Sequence, residues 1–180
     1  MIYLYKDLTN KEYSDYQIKK LVKEEKLYMI QKGVYSDKLN YNYIELIFKK
    51  HPNSVFNLET ACFCYGLLKK EIIPYKIATK QKDRKIKDLN IKQIFMTDNL
   101  YHLGISKITY KGFNINIYDL ERLLIEIVRN KPYIDFENYK EIISNYKKIS
   151  KLLNKQKISE YFTYFKDNRI QFRIKNEIFK

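Results

Sequence analysis

Residues 14–36, SDYQIKKLVKEEKLYMIQKGVYS, contain one short amphipathic helix followed directly by a tight β-hairpin. Ser14 and Gln17 have the spacing of a capping box, which predicts that the helix begins at Asp15. At 100° per residue, one helix face carries three apolar residues: Ile18, Leu21 and Val22. The opposite face carries polar residues: Tyr16, Lys20 and Lys23, with Lys19 on the flank.

The hairpin is predicted from alternation of apolar and polar residues in 27–31 and 34–36, on either side of Lys32-Gly33. A short polar helix next to a two-stranded ribbon is how a small domain lays a helix in the major groove. This order predicts the recognition helix and wing of a winged-helix DNA-binding domain. The alternative is a helix and hairpin that only pack against the rest of the fold.

A set of polar side chains on this helix and wing is predicted to contact DNA: Tyr16, Lys19, Lys20, Lys23, Gln31 and Lys32. Lysines would bind phosphates, while Tyr16 and Gln31 can donate hydrogen bonds. The alternative is a solvated helix face whose lysines pair with Glu24 and Glu25.

Several blocks of the chain resemble a known family. Residues 21–37, LVKEEKLYMIQKGVYSD, resemble the N-terminal module of AbiEi-type antitoxins from bacterial type IV toxin–antitoxin systems, which act in abortive infection and phage defence. The resemblance continues through YIELIFKKHPNSVFNLETACFCYGL (43–67) and through 91–129. Its most specific part is Ile-Tyr-Asp-Leu-Glu-Arg at 117–122, and the blocks together cover about residues 14–150.

This resemblance implies a non-enzymatic antitoxin and transcriptional repressor. Its partners would be its own operator DNA and a cognate nucleotidyltransferase-like toxin, which it would oppose without a stable complex. A full winged helix places two helices before the recognition helix, but only MIYLYKDLTNKEY precedes residue 14. Thirteen residues predict one short helix or strand there, and therefore a reduced module.

The predicted fold class is α+β: a reduced winged-helix module at 1–38, then a mixed α/β domain at 39–180 with C-terminal helices. Helix 40–51 should end at Pro52, and a second helix should begin near Asn57 and end at Gly66. Short apolar runs at 75–79 and 91–96 predict strands. ISKITY and FNINIY predict a second hairpin around Gly112.

The C-terminal third is predicted to be helical. Asp119 should cap a helix with an apolar stripe: Leu120, Leu123, Leu124, Ile127 and Val128. Asp135 should cap the next helix, which has its own stripe: Phe136, Tyr139, Ile142, Ile143 and Tyr146. Further helices are expected at 158–165 and from Arg169.

Composition limits the class of protein. An apolar share of 45% is enough for a core, and no apolar run approaches the roughly 18 residues that a membrane span needs. A soluble cytoplasmic protein is therefore expected. Two cysteines, Cys62 and Cys64, exclude a disulfide framework, and His51 and His102 have no metal-ligand spacing. No metal or cofactor is expected.

The net charge of +14 is unevenly distributed. Residues 1–37 contain seven Lys and six Asp or Glu, residues 38–118 contain fourteen basic and six acidic residues, and 119–180 contain fourteen and nine. Neutralisation of phosphates supplies most non-specific DNA affinity. Residues 1–37, which are predicted to bind DNA, are nearly neutral, and this weakens a simple repressor model. Lysine makes up 30 of the 35 basic residues. An AT-rich coding sequence produces many lysines, so the positive charge alone does not indicate nucleic-acid binding.

The sequence 80–87, KQKDRKIK, carries five cations: Lys80, Lys82, Arg84, Lys85 and Lys87. Such a run repels itself unless an anion or solvent neutralises it. It predicts contact with a polyanion or an acidic partner, or else a mobile solvated loop. The alternative function is thus a DNA-independent RNA- or protein-binding module.

Two acidic motifs could be chemical or structural. Asp119, Glu121 and Arg122 are predicted to be a helix cap, a favourable first-turn acid and an arginine paired across the fold. A catalytic role for these carboxylates is the alternative. Asp83-Arg84-Lys85 is similar to half of a nuclease site, for which Glu71 is the nearby upstream acid. A metal-dependent nuclease is the third and weakest hypothesis.

Overall fold

The computed structural model describes residues 1–165 and 167–179, and the chain divides into two compact α+β units, Met1–Asn53 and Ser54–Lys180. The sequence placed the boundary near 37–40, before the next helix. The structure places it after that helix, because the helix packs on the first strand of the chain. Leu46 shares a buried cluster with Ile2 and Val34.

The first unit contains three strands and three helices in chain order: β1 (Ile2–Leu4), α1 (Tyr5–Thr9), α2 (Asp15–Lys23), β2 (Tyr28–Gln31), β3 (Val34–Ser36) and α3 (Tyr43–Lys50). The strands form an antiparallel sheet in the order β1-β3-β2. Ser36 on the central strand lies opposite both Ile2 and Tyr28.

The predicted helix and hairpin at 14–36 are confirmed. Ser14 Oγ accepts a hydrogen bond from Gln17 N at 3.3 Å, and Gln17 Oε1 accepts one from Ser14 N at 2.8 Å. This capping box satisfies backbone donors that the first helical turn leaves unpaired. Gly33 turns the hairpin with φ +76°, a left-handed conformation that favours glycine.

The first thirteen residues form more structure than the sequence predicted. They contain both strand β1 and helix α1, where one short element was expected. The reason is non-local: β1 is held by pairing with β3, and Tyr5 N donates to Gly33 O at 2.8 Å. Leu8 of α1 and Ile18 of α2 lie with Leu27 in one buried apolar cluster, so the two helices pack against each other.

The second unit contains five strands: β4 (Val55–Phe56), β5 (Tyr75–Lys80), β6 (Ile91–Met96), β7 (Ile105–Tyr110) and β8 (Phe113–Tyr118). Its described helices are α4 (Leu58–Cys64), α5 (Asp98–His102), α6 (Leu120–Arg129), α7 (Phe136–Lys148), α8 (Lys155–Phe165) and α9 (Asn168–Ile178). Single 3₁₀ turns occur at Lys131–Tyr133 and Ser150–Leu152. None of the helices described in residues 1–165 and 167–179 has the length and apolar character to cross a membrane.

The five strands form a mixed sheet in the order β6-β5-β4-β8-β7. The β5–β6 and β4–β8 pairs are parallel, whereas β4–β5 and the β7–β8 hairpin are antiparallel. The strands at 75–79 and 91–96 and the second hairpin were predicted. The central strand β4 was not, because two residues carry no periodic signal.

The C-terminal helices mostly follow their predicted stripes. In α6 seven residues are buried, and in α7 Tyr139, Ile142, Ile143 and Tyr146 are buried. The placement of Phe136 in the α7 stripe was wrong, since its side chain is 69% exposed. Phe136 is the first residue of α7, and helical periodicity does not indicate where the packing surface ends.

Candidate nucleic-acid interface

The polar face of α2 lies in solvent. Tyr16 is 77% exposed, and Lys19, Lys20 and Lys23 are exposed, whereas Ile18 on the opposite face is only 2% exposed. The capping box fixes where the helix begins and Ile18 fixes its rotation. Together they hold the three lysine side chains outward from the first unit.

The carboxylate of Glu24 partly neutralises two lysines, Lys20 on this face and Lys26 just after the helix. Lys26 Nζ lies 2.8 Å from Glu24 Oε2, and Lys20 Nζ lies 3.8 Å from Glu24 Oε1. The hydrogen bond from Lys26 lowers the pKa of the Glu24 carboxyl below its ordinary value. Among the described residues no carboxylate lies within ion-pair distance of Lys19 or Lys23. The predicted pairing with acids therefore involves Lys20 and Glu24 on this face.

The two hairpin residues that the sequence singled out, Gln31 and Lys32, are also exposed. Gln31 Oε1 accepts a hydrogen bond from Lys50 Nζ at 3.4 Å, so the end of α3 reaches the β2–β3 hairpin. Sequence reasoning missed Lys50, since only tertiary packing brings it to the hairpin. Met29, two residues before Gln31 on the same strand, is 61% exposed.

Helix α1 is tied to the start of α2. The Tyr5 hydroxyl donates a hydrogen bond to the Asp15 carboxylate in the first turn of α2. This hydrogen bond is the main cause of the raised pKa of Tyr5. It supplements the Leu8–Ile18 packing in holding the two consecutive helices against each other.

The Gln93 side chain anchors the middle of the basic loop at 80–87 in the second unit. Gln93 Oε1 accepts from Ile86 N at 2.8 Å, and Gln93 Nε2 donates to Arg84 O at 3.1 Å. Lys80 is partly withdrawn, with its ammonium 3.8 Å from Asp98 Oδ1 and 5.4 Å from the Tyr101 ring centre. The other four cations are exposed: Lys82, Arg84, Lys85 and Lys87.

The acids at the start of α6 make structural contacts. Asp119 Oδ1 accepts from Arg122 N at 2.8 Å, as predicted for a helix cap, and Oδ2 accepts from the Tyr161 hydroxyl at 2.7 Å. Burial and the bond to Asp119 raise the pKa of Tyr161 to about 12. Glu121 Oε1 accepts from Asn154 N at 2.9 Å. Both carboxylates thus bind the segment that leads into α8 or α8 itself.

Arg122 is fully buried and forms an ion pair with Glu126 one turn later. Its guanidinium lies 4.8 Å from the Tyr118 ring centre and 4.4 Å from that of Phe165, and it donates to Leu100 O at 3.3 Å. The predicted pairing across the fold was wrong for the carboxylate partner, which lies on the same helix, and the contacts that Arg122 makes beyond α6 are to rings and to a carbonyl.

The half-nuclease motif also has structural partners. Asp83 Oδ2 accepts from Lys80 N at 2.9 Å and closes the turn after β5, while Glu71 Oε1 accepts from the Tyr75 hydroxyl at 2.9 Å. Within residues 1–165 and 167–179 there is no group of three His, Cys, Asp or Glu side chains that could hold a metal ion.

The sequence did not predict the buried ion pair between Lys76 on β5 and Glu59 on α4, whose atoms are 2.9 Å apart. The two cysteines are free thiols, and burial raises the pKa of Cys64 to about 12. Burial also raises the pKa of the Cys62 thiol, so both thiols are protonated at neutral pH.

Comparison with known proteins does not assign this chain to a class. It matches no described protein family and no curated protein.

Proposed function

We propose that Met1–Asn53 is a reduced winged-helix module that binds duplex DNA, with α2 as the recognition helix and the β2–β3 hairpin as the wing. The sheet order β1-β3-β2 and the helix pair α1–α2 before the hairpin support this assignment. The observation that carries it is the outward lysine face of α2, on which Lys19 and Lys23 have no carboxylate partner within the described part of the chain.

The dimensions of α2 fit this role. An α-helix with its side chains is about 10–12 Å across, which fits the roughly 12 Å width of the major groove, and the nine residues of α2 would extend about 13 Å within it. Lysines in such a position bind phosphates and fix the orientation of the helix, while Tyr16 and Gln31 can reach base edges. Lys50 beside Gln31 adds a cation to the wing. The local charge at the contact is thus higher than the near-neutral total of residues 1–37 indicates.

We further propose that the whole chain is an antitoxin that represses its own operon and opposes a nucleotidyltransferase-like toxin. This part rests on the ordered resemblance of residues 14–150 to AbiEi-type antitoxins. In this scheme the second unit opposes the toxin. An operator with inverted repeats would bind two copies of the first unit.

The DNA-binding proposal is tested by charge reversal on α2. The variant Lys19→Glu/Lys23→Glu should reduce affinity for DNA upstream of the gene by about 100-fold or more in a gel shift at 0.1 M salt, because phosphate contacts become repulsive. The control Lys6→Glu/Lys38→Glu changes the charge of the same unit equally at two exposed sites outside α2 and should bind more tightly than the α2 variant. Equal losses in the two variants would remove the recognition-helix assignment.

The antitoxin proposal has a separate test. A nucleotidyltransferase-like reading frame beside this gene would be expressed with the full chain, and growth should be restored. The α2 variant should still restore growth while losing repression of a reporter placed behind the upstream DNA. Failure of the wild-type chain to restore growth would reject the antitoxin function and leave the DNA-binding result intact.

A second candidate function is supported by the anchored basic loop of the second unit. Because Gln93 fixes the loop backbone at Arg84 and Ile86, four exposed cations are presented on an ordered segment, as RNA or an acidic protein would require. In this case Lys82→Glu/Lys85→Glu should abolish growth rescue and leave the gel shift unchanged. The control is Lys69→Glu/Lys70→Glu, a charge-matched exposed pair elsewhere in the same unit.

A further inference from the structure

A basic cleft of about 640 Å³ lies in the second unit, where α7 ends and α8 begins. Three lysines from consecutive elements line it: Lys147 in the last turn of α7, Lys151 in the following 3₁₀ turn and Lys155 at the start of α8. Ser150 adds a hydroxyl, and the described residues that line the cleft include no Asp or Glu. The cleft is therefore electropositive.

The charges of this cleft are not neutralised by the described part of the protein. Other lysines of the same unit do have partners: Lys131 lies 3.3 Å from Glu177, and Lys157 lies 2.9 Å from Asp119. By contrast, no described carboxylate lies within 4.0 Å of the ammonium groups of Lys147, Lys151 or Lys155. Cations gathered in one cleft repel each other, and a bound polyanion would convert that repulsion into attraction.

An apolar groove of about 330 Å³ adjoins the cleft, between α8 and α9. Its walls include Ile158, Phe162 and Ile174, and a fourth lysine, Lys175, lies at its side. The groove and the cleft share Lys155 and Phe179, and the Lys155 ammonium lies 4.8 Å from the Phe179 ring centre. A charged site and an apolar site are thus continuous.

We propose that this composite site binds a nucleoside polyphosphate, with its phosphates in the lysine cleft and its base in the apolar groove. The cleft is within the range of roughly 300–1,000 Å³ typical of small-molecule sites. A triphosphate supplies several negative charges for the lysines, and a planar base can contact the apolar walls. All of these residues belong to the second unit, so the proposal does not depend on DNA binding by α2.

The phosphate part is tested with the full chain, inorganic triphosphate and ATP, by calorimetry at 0.1 M salt. Wild-type protein should bind both, and Lys147→Glu/Lys151→Glu should weaken binding at least tenfold. The control Lys107→Glu/Lys140→Glu makes the same charge change at two exposed positions of the second unit outside the cleft and should bind as wild type. Absence of binding to both probes at millimolar concentration, or equal weakening in the control, would overturn the proposal.

The base part is tested by comparing probes that share only phosphate. ATP should bind at least tenfold more tightly than inorganic triphosphate, and Ser159→Phe, which fills the apolar groove, should remove that preference while leaving triphosphate binding unchanged. Vesicles containing phosphatidic acid present a phosphate next to acyl chains. Equal affinity for ATP and triphosphate, or a preference for these vesicles, would overturn the nucleotide assignment.

Discussion

Helices α2 and α6 begin and end alike but have opposite surroundings. Each begins at a side-chain cap, Ser14 or Asp119, and each has at least one basic residue in its last turn. In α2 only Ile18 of nine residues is buried, whereas in α6 seven of ten are buried, including Arg122. A cation on α2 is therefore available to a partner outside the protein. A cation inside α6 is already used by the protein itself.

This difference separates exposed cations, which a partner could contact, from buried cations, which stabilise the fold. Removing a buried, paired cation leaves its partner without compensation, which is costly. Removing an exposed cation changes stability little, since water already solvates the site. The four variants below test the surroundings of the two helices, starting from the largest expected change in the free energy of unfolding.

Arg122→Ala should lower the free energy of unfolding by about 3–5 kcal/mol, because Glu126 would stay buried without its nearest cation. The measurement is urea unfolding followed by circular dichroism. The control is Arg129→Ala: Arg129 is 47% exposed and lies 3.8 Å from the same Glu126 carboxylate, and its removal should cost about 0.5 kcal/mol or less. Equal costs would mean that the burial of Arg122 carries no energetic weight.

Gly104→Ala should cost about 2–3 kcal/mol. Gly104 has φ +75°, and a Cβ there would lie 2.6 Å from Arg122 Cβ, so strain and a clash are combined. Gly66 has a similar φ of +72° with no atom within 4 Å of an added Cβ, and Gly66→Ala should cost only about 1 kcal/mol. The difference between the two unfolding curves measures the cost of the close contacts at Gly104, of which the one with Arg122 is the shortest. No difference would show that Arg122 moves aside freely.

Ser14→Ala should cost about 1 kcal/mol, because the first turn of α2 loses its side-chain cap. Ser14→Asp keeps an acceptor at this position and should restore most of the loss. Thermal unfolding of the three proteins provides the measurement. A cost near zero would indicate that packing through Ile18 alone fixes the start of the helix.

Lys23→Ala should change the free energy of unfolding by less than about 0.5 kcal/mol. It should nevertheless weaken DNA binding uniformly across sequences and reduce the slope of log affinity against log salt by about one. Lys6→Ala serves as the exposed control from the same unit. If Lys23→Ala destabilised the protein as much as Arg122→Ala, the contrast between α2 and α6 would not hold.

Local signals explain why α2 and its hairpin could be predicted. The cap at Ser14 and the turn at Lys32-Gly33 act within a few residues, so the sequence pattern contains them. The pairing of Lys20 with Glu24 is equally local, at i and i+4. Strand β1 could not be predicted in this way, because its three residues are held by Val34–Ser36, far along the chain.

The candidate sites also divide into features that local sequence determines and features that depend on tertiary packing. Outward placement of Lys19 and Lys23 follows from helical periodicity, and periodicity was sufficient for that face. Lys50 meets Gln31 only through the packing of α3, so no pattern indicated it. The lysine cleft combines the end of one helix, a turn and the start of the next. Its lining depends on how the chain bends there, which periodicity within each helix does not describe.

The two-residue strand β4 has a consequence for how the second unit folds. Phe56 pairs with Ile77 on one side and Ile117 on the other, so β4 joins the two halves of the sheet. Its neighbours can form early as separate pieces, but the halves can unite only after distant segments meet, which slows folding. The amide protons of Val55 and Phe56 should then be among the last to become protected from exchange during refolding. Until β4 has paired with both neighbouring strands, each half of the sheet would present an open edge on which nascent chains could aggregate.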